Sequence, residues 1–165
     1  MAVDPIYKFE FPFKTYSLLT EMDKYQDKFK AYSDIRYNET DDNWLILKNE
    51  NFKVLTEECR KFLEQIDLEG IPRYYILKAN SILRPHVDYK TKCSINHLLS
   101  TDSASVTYTN YGDFKYKTAL LNTSEEHSVD NRNYSDRYIF KISFFNHSYE
   151  EVKEKIIAYE IRTKI

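Results

Sequence analysis

The chain has 165 residues, with 24 Lys+Arg against 26 Asp+Glu, a formal net charge of −2 and a pI near 6.1. That length is expected to form one domain with a real core, and the balanced charge offers no basic footprint for nucleic acid. Only 2 glycines occur, Gly70 and Gly112, whereas a P-loop or a dinucleotide-binding turn needs two or three in one short run, so both are excluded in their usual form.

With 15 Tyr and 10 Phe, the composition favours strands. Residues 7–13 alternate aromatic and polar side chains as a strand does, and residues 17–29 predict a short helix. Residues 38–43 read as a polar turn before the apolar Trp44-Leu45-Ile46-Leu47. From 51 to 68, Phe52, Leu55, Cys59, Phe62, Leu63 and Ile66 recur at helical spacing, with Gly70 and then Pro72 marking the end. The pattern then changes to short strands at 73–78, 82–87, 92–99, 104–110, 114–121 and 137–145, which points to a sandwich or barrel. Ser148 and Glu151 form a capping box opening a last helix to about 161, with Val152, Ile156 and Tyr159 at helical spacing. The expected chain is α+β, mainly β: a β core over about 72–145, a helical buttress over about 15–68 and a closing helix over about 148–161.

No apolar run approaches the ~20 residues of a membrane span, and Met1 to Pro5 show no signal peptide. Cys59 and Cys93 are isolated and read as reduced thiols, so the expected setting is the cytoplasm.

The chemistry concentrates in the β region, where all four histidines lie: His86, His97, His127 and His147. On a strand, residues two apart point the same way, so His86 and Asp88 present an imidazole and a carboxylate side by side. One further histidine would complete a two-histidine, one-carboxylate face with open positions, as in non-haem Fe(II) oxygenases. Alone, a His-x-Asp pair also fits an exposed histidine near a surface carboxylate. Ten residues after His127, however, Arg137 opens an apolar strand. A guanidinium pointing inward needs a buried anion, and a ligand carboxylate held bidentately would answer that need. The other reading has Arg137 facing water or pairing with Asp136.

The order His-x-Asp, distal His, then Arg ten later resembles the 2-oxoglutarate/Fe(II)-dependent dioxygenases. More narrowly, Asn122-Thr123-Ser124-x-x-His127-x-Val129-x-Asn131, followed by Asp136-Arg137 and an apolar strand, is similar to the aspartyl/asparaginyl β-hydroxylase branch, which includes free-proline hydroxylases. The resemblance covers residues 73–145 and implies a double-stranded β-helix, a jelly roll of the cupin kind. It makes His86, Asp88 and His127 the iron ligands and Arg137 the clamp for the distal carboxylate of 2-oxoglutarate. Tyr75, eleven residues before His86, falls where the family places a hydroxyl donor to that carboxylate. Asn96 falls where the family often has an arginine facing the cosubstrate, and is a departure. A glycine turn usual before the motif is replaced by Lys78-Ala79-Asn80-Ser81, with Asn80 able to take a left-handed conformation.

Halide-transferring relatives lack the carboxylate, so Asp88 points to hydroxylation. The implied cofactors are Fe(II), 2-oxoglutarate and O2, with succinate and CO2 released. The implied substrate is an amino acid, as a small molecule or within a peptide or protein; neither nucleic acid nor membrane is an expected partner. Two alternatives stay open: a cupin-like binding module that turns nothing over, and an oxygenase acting on nucleic acid, against which the charge balance argues. His97 reads as structural, His147 as exposed, and Cys93 as a ligand only if the triad fails. Tyr89, Tyr108 and Tyr111 are candidates for a substrate mouth, and Asp41-Asp42 and Glu125-Glu126 for solvated loops.

Overall fold

Eleven strands and three helices follow one another in a computed structural model that describes residues 3–34, 39–47, 52–101 and 103–164. The strands are β1 (Ile6–Lys8), β2 (Lys30–Asp34), β3 (Glu39–Leu47), β4 (Ile71–Leu77), β5 (Ile82–His86), β6 (Cys93–Leu98), β7 (Val106–Tyr108), β8 (Gly112–Phe114), β9 (Thr118–Leu121), β10 (His127–Asp130) and β11 (Arg137–Phe144). The helices are α1 (Thr15–Lys24), α2 (Lys53–Ile66) and α3 (Tyr149–Thr163). A seven-stranded sheet runs β1-β9-β6-β11-β4-β3-β2, and a four-stranded sheet runs β5-β10-β7-β8. All their pairings among the described residues are antiparallel. The two sheets face each other as a double-stranded β-helix, the jelly roll expected.

Period-two alternation divides the central strands of the large sheet, β4, β6, β9 and β11, between two buried layers. On the outer face, Tyr74, Ile95, Phe140, Ile142 and Phe144 pack against Leu18 and Met22 of α1, Phe62 of α2 and Ile156 of α3. On the inner face, Tyr75, Leu77, Leu98, Ile139 and Leu121 meet Val106, Tyr108 and Val129 of the small sheet. The helices thus cover one face of the large sheet while its other face lines the cavity between the sheets.

Several boundaries differ from expectation. The alternation at 7–13 continues as a strand only to Lys8; beyond it Phe9, Phe11 and Phe13 turn their rings onto Phe62 of α2, at centroid distances of 5.8, 4.9 and 5.7 Å. The helix expected over 17–29 starts at Thr15 and stops at Lys24, and Gln26–Lys28 is a separate 3-10 turn. The polar run read as a turn lies in β3 from Glu39 onward, because the partner strand β2 supplies its ladder; Asn38 lies outside the described residues. The 114–121 segment is two strands in different sheets, β8 and β9, and β10 arises where no strand was expected.

Helix α2 ends at Ile66, with Asp67 in the left-handed region at φ 54°, three residues before Gly70. Gly70 instead permits a close approach: a Cβ there would stand 2.7 Å from Ile142 Cγ2. Asn80 takes φ 56°, as its place in the glycine-free turn requires. Ser148 caps α3 by accepting a hydrogen bond from Glu151 N at 3.1 Å. Among the described residues, no helix is long and apolar enough to cross a membrane.

Candidate metal centre

The site is built where β5 and β10 pair. His86 and His127 are directly opposite each other in that ladder, and their rings lie 4.4 Å apart between centroids. The ladder is irregular just beyond them, between His127 and Val129, so Leu83, not Arg84, faces Val129. Pro85 falls inside this irregularity, on an edge strand, where a missing N–H is tolerated. Such an irregularity re-aims the side chains beside it.

Asp88 follows β5 in a loop that the turn before β10 holds in place. Its backbone N–H donates to Thr123 O at 3.0 Å, while Thr123 Oγ1 donates to Thr91 O at 2.9 Å and Ser124 Oγ to Lys92 O at 3.2 Å. Asp88 Oδ1 then stands 3.4 Å from His86 Nε2 and 3.7 Å from His127 Nε2. The ligand-type atoms of the three residues all lie within 4.8 Å of one another.

The histidine tautomers follow from their partners. His86 Nδ1 lies 2.7 Å from Arg84 O, and His127 Nδ1 lies 2.8 Å from Glu125 O. A carbonyl oxygen only accepts, so each Nδ1 carries a hydrogen, and in the neutral tautomer that this selects it is Nε2 that offers a lone pair. Burial lowers the His127 pKa to about 4, outweighing the opposing pull of Asp88. Burial pushes Asp88 upward, but the Lys141 ammonium and the two imidazoles outweigh it and hold the carboxyl well below the usual range. Two imidazole lone pairs and an ionised carboxylate therefore converge. Acceptors gathered this way repel one another unless a cation stands between them. The donor set, two imidazoles and one carboxylate, fits a divalent iron with positions left open.

A second feature lies deeper in the cavity. Arg137 is 1% exposed, on the inner face of β11, and its neighbour Asp136 is engaged elsewhere, with Lys78 Nζ at 3.0 Å and Ala79 N at 2.7 Å. Arg137 Nη1 donates to Ser103 Oγ and to Ala104 O, and Nη2 donates to Tyr116 OH at 3.0 Å. Its Nε has no partner, and no described carboxylate pairs with the guanidinium. A buried arginine with an unfilled donor, and no counter-ion among the described residues, has the chemistry to take an anion.

The remaining expected positions fall as follows. Tyr75 lies on the same inner face, stacked on Trp44 at 4.9 Å and 5.1 Å below Lys141 Nζ; the hydroxyl on Arg137 is that of Tyr116. Asn96 is buried and donates to the same Tyr116 OH at 3.3 Å. His97 lies on the outer face between Thr15 Oγ1 at 2.8 Å and Thr118 Oγ1 at 2.7 Å. His147 is half-buried and lies 2.9 Å from Glu151. Tyr108 is fully buried, with its ring 5.6 Å from that of His127, so it packs behind that imidazole and does not line a mouth; Tyr89 and Tyr111 are exposed. Cys93 is buried on the outer face. Tyr116, Ser103 and Lys141 are contacts that the sequence reading did not single out.

No protein-family model matches the chain, and no curated protein matches it in sequence. Solved structures do match in fold. A Pseudomonas putida prolyl-4-hydroxylase aligns at a TM-score of 0.60 and 11% identity, covering 87% of this chain and 92% of that one. A prolyl hydroxylase from Trichoplax adhaerens, solved with a hypoxia-inducible factor peptide fragment, aligns at 0.61 and 12%, covering 90% and 85%. A viral collagen prolyl hydroxylase from Paramecium bursaria Chlorella virus-1, solved with 2-oxoglutarate, aligns at 0.56 and 10%, covering 85% and 94%. The chain has the prolyl hydroxylase fold. At these identities, the likeness establishes the architecture, and the site has to be argued from its own residues.

Proposed function

We propose that this chain is an Fe(II)- and 2-oxoglutarate-dependent dioxygenase that hydroxylates an amino acid, free or within a peptide or protein. The observation that carries this reading is the convergence of His86 Nε2, His127 Nε2 and Asp88 Oδ1, with both Nδ1 atoms tied to backbone carbonyls. In the fold it shares, one similar protein was solved with 2-oxoglutarate, which supports the choice of cosubstrate.

Iron(II) with 2-oxoglutarate and dioxygen supplies the oxidising chemistry that hydroxylates a C–H bond, releasing succinate and CO2. The protein's part is position, charge and dryness. His86, His127 and Asp88 would hold the metal, each imidazole kept in one tautomer by its own upstream carbonyl. Arg137 would take the distal carboxylate of 2-oxoglutarate on its unfilled N–H edge, with Tyr116 beside it. The walls between the sheets, Ile139, Leu98, Leu121 and Val129, exclude water from the reacting face. Asn131 of the branch-like motif donates to Lys78 O and Ser135 O, both at 3.0 Å, locking the turn before β5 to the connection that delivers Arg137.

The test is succinate release from 2-oxoglutarate by Fe(II)-loaded protein, screened over free amino acids and peptides. Stimulated release by at least one of them is expected, and both His86→Ala and Asp88→Ala should abolish it. Turnover surviving in either variant would remove the triad. A silent binding module is told apart by a melting assay in Mn(II): it need not bind 2-oxoglutarate and should show no 2-oxoglutarate-dependent shift.

A further inference from the structure

Two of the three candidate ligands owe their places to strand pairing, since His86 and His127 stand opposite each other in the β5–β10 ladder. Asp88 has no ladder to hold it: it lies past the end of β5, where the chain crosses to β6 in the other sheet. A carboxylate on such a connection keeps its aim only if the backbone beneath it is tied down by other polar groups. Those groups come from the turn over 122–125, where the chain makes the return crossing from β9 to β10. The Asn122-Thr123-Ser124 run that opens the motif around His127 lies there.

One residue of that run reaches the Asp88 connection twice. Thr123 O accepts from Asp88 N at 3.0 Å, and Thr123 Oγ1 donates to Thr91 O at 2.9 Å. The segment 88–91 is thus held at its first N–H and its last C=O by a single residue, which is itself 1% exposed. Ser124 Oγ adds a link to Lys92 O at 3.2 Å, but on the exposed side, where water can replace it. The turn that carries the clamp is braced in its own right. Asn122 N donates to Pro5 O at 2.8 Å, Tyr108 OH donates to Asn122 O at 3.1 Å, and Asn122 Oδ1 accepts from Ser124 N at 3.1 Å. Just beyond Thr123, Glu125 O fixes the ring of His127. Imidazole and carboxylate are therefore both referred to one short turn, and Thr123 is the part of it that grips Asp88.

We propose that Thr123 is a positioning residue for the metal: its hydroxyl clamps the segment 88–91 so that the Asp88 carboxylate stays within reach of a cation on His86 and His127. This rests on the metal centre of the oxygenase reading above and extends it to a residue that is not itself a ligand. Removing a group that orients a metal ligand weakens metal binding roughly 10–100-fold. Without the hydroxyl, the Thr91 end of the segment comes loose while Asp88 N keeps its bond to the Thr123 carbonyl. The expected loss therefore lies at the lower end of that range, about tenfold.

The experiment uses the full chain and reads its Mn(II) affinity by calorimetry, beside the urea stability of the same protein kept in chelator. Wild type is titrated first; failure to bind Mn(II) overturns the metal centre itself, and this proposal with it. Thr123→Val keeps the branched shape and removes only the hydroxyl, and it should bind Mn(II) about tenfold more weakly. Thr123→Ser restores the hydroxyl and should bind close to wild type. Glu21→Ala is the control for stability alone: it unties a buried carboxylate that joins α1, α2 and β4 on the outer face of the large sheet, and should leave the Mn(II) constant as in wild type. Once wild type is seen to bind, an unchanged constant in Thr123→Val, no recovery in Thr123→Ser, or an equal loss in Glu21→Ala would each overturn the proposal and leave the metal centre standing. Should Thr123→Val not fold, Thr123→Ala is read against Thr123→Ser in the same way.

Discussion

Arg137 shows most clearly how one residue's environment states its task. It is buried and charged, its described partners Ser103, Ala104 and Tyr116 are neutral acceptors, and Nε is left over. If the vacancy is filled by a carboxylate through two charge-assisted hydrogen bonds of roughly 1.5–3 kcal/mol each, then Arg137→Met should weaken 2-oxoglutarate by about 100-fold or more. Mn(II) affinity should stay as in the wild type, since Arg137 touches none of the three ligands. Equilibrium titrations of wild type and Arg137→Met read the two constants separately, and an unchanged 2-oxoglutarate constant would remove Arg137 as the clamp. The arginine and the His86–Asp88 pair were legible in the sequence because their signal is local, a two-residue spacing and a charge opening an apolar strand, whereas His127 joined them only through the family resemblance. Lys141 carried the same kind of signal, four residues beyond Arg137 and on the same face by alternation. Tyr116 carried none. It reaches Arg137 across a connection between β8 and β9, and no spacing rule links residues brought together that way.

At the scale of elements, the same difference between local and distant signals recurs. Helix α2 was readable from its apolar periodicity, and α3 from its capping box, but the true start of α2 is held from elsewhere. Phe52, its N-cap, makes no side-chain cap bond; Glu21 of α1 accepts from Val54 N at 2.8 Å and Leu55 N at 3.0 Å. Glu21 also accepts from Tyr74 OH at 2.9 Å, so one buried carboxylate ties α1, α2 and β4. It satisfies two orphan N–H groups and favours the positive end of the helix dipole. Glu21→Ala should therefore destabilise by about 2–4 kcal/mol, more than the ~1 kcal/mol of an ordinary cap. Urea melts would show this, and a loss below that of Ser148→Ala, where the cap is exposed, would contradict it. Strand membership was harder to read than helix existence. β8 and β9 form one apolar-rich run in sequence, yet the chain crosses from one sheet to the other between them. β10 has only four residues, His127-Ser128-Val129-Asp130, and becomes a strand because β5 and β7 flank it on both sides.

The whole molecule has two buried layers, and each holds one neutral histidine. His97 sits in the outer layer under Phe13, and His127 in the layer between the sheets. Burial drives both pKa values down to about 4, helped at His97 by the charge of Lys117 and opposed at His127 by that of Asp88. Unfolded, each would titrate near about 6.5. Between those values, the unfolded chain binds protons that the folded chain refuses, so stability rises with pH across this window and falls as pH drops through it. Asp88 acts in the same sense but in another window: its carboxyl is held low, so its contribution is lost only below its unfolded value of about 4. Restricting the measurement to pH 6.5–5 separates the two. There, metal-free protein kept in chelator should lose stability at up to about 2.7 kcal/mol per pH unit, the slope for two protons. His97→Gln should halve that slope, whereas metal-loaded protein should be more stable at every pH of the range with a slope no smaller, because the unfolded chain still takes up the protons that a bound imidazole refuses. Urea unfolding across this range measures all three. Stability that is flat from pH 6.5 to 5 without metal would mean that the two layers do not hold their histidines neutral.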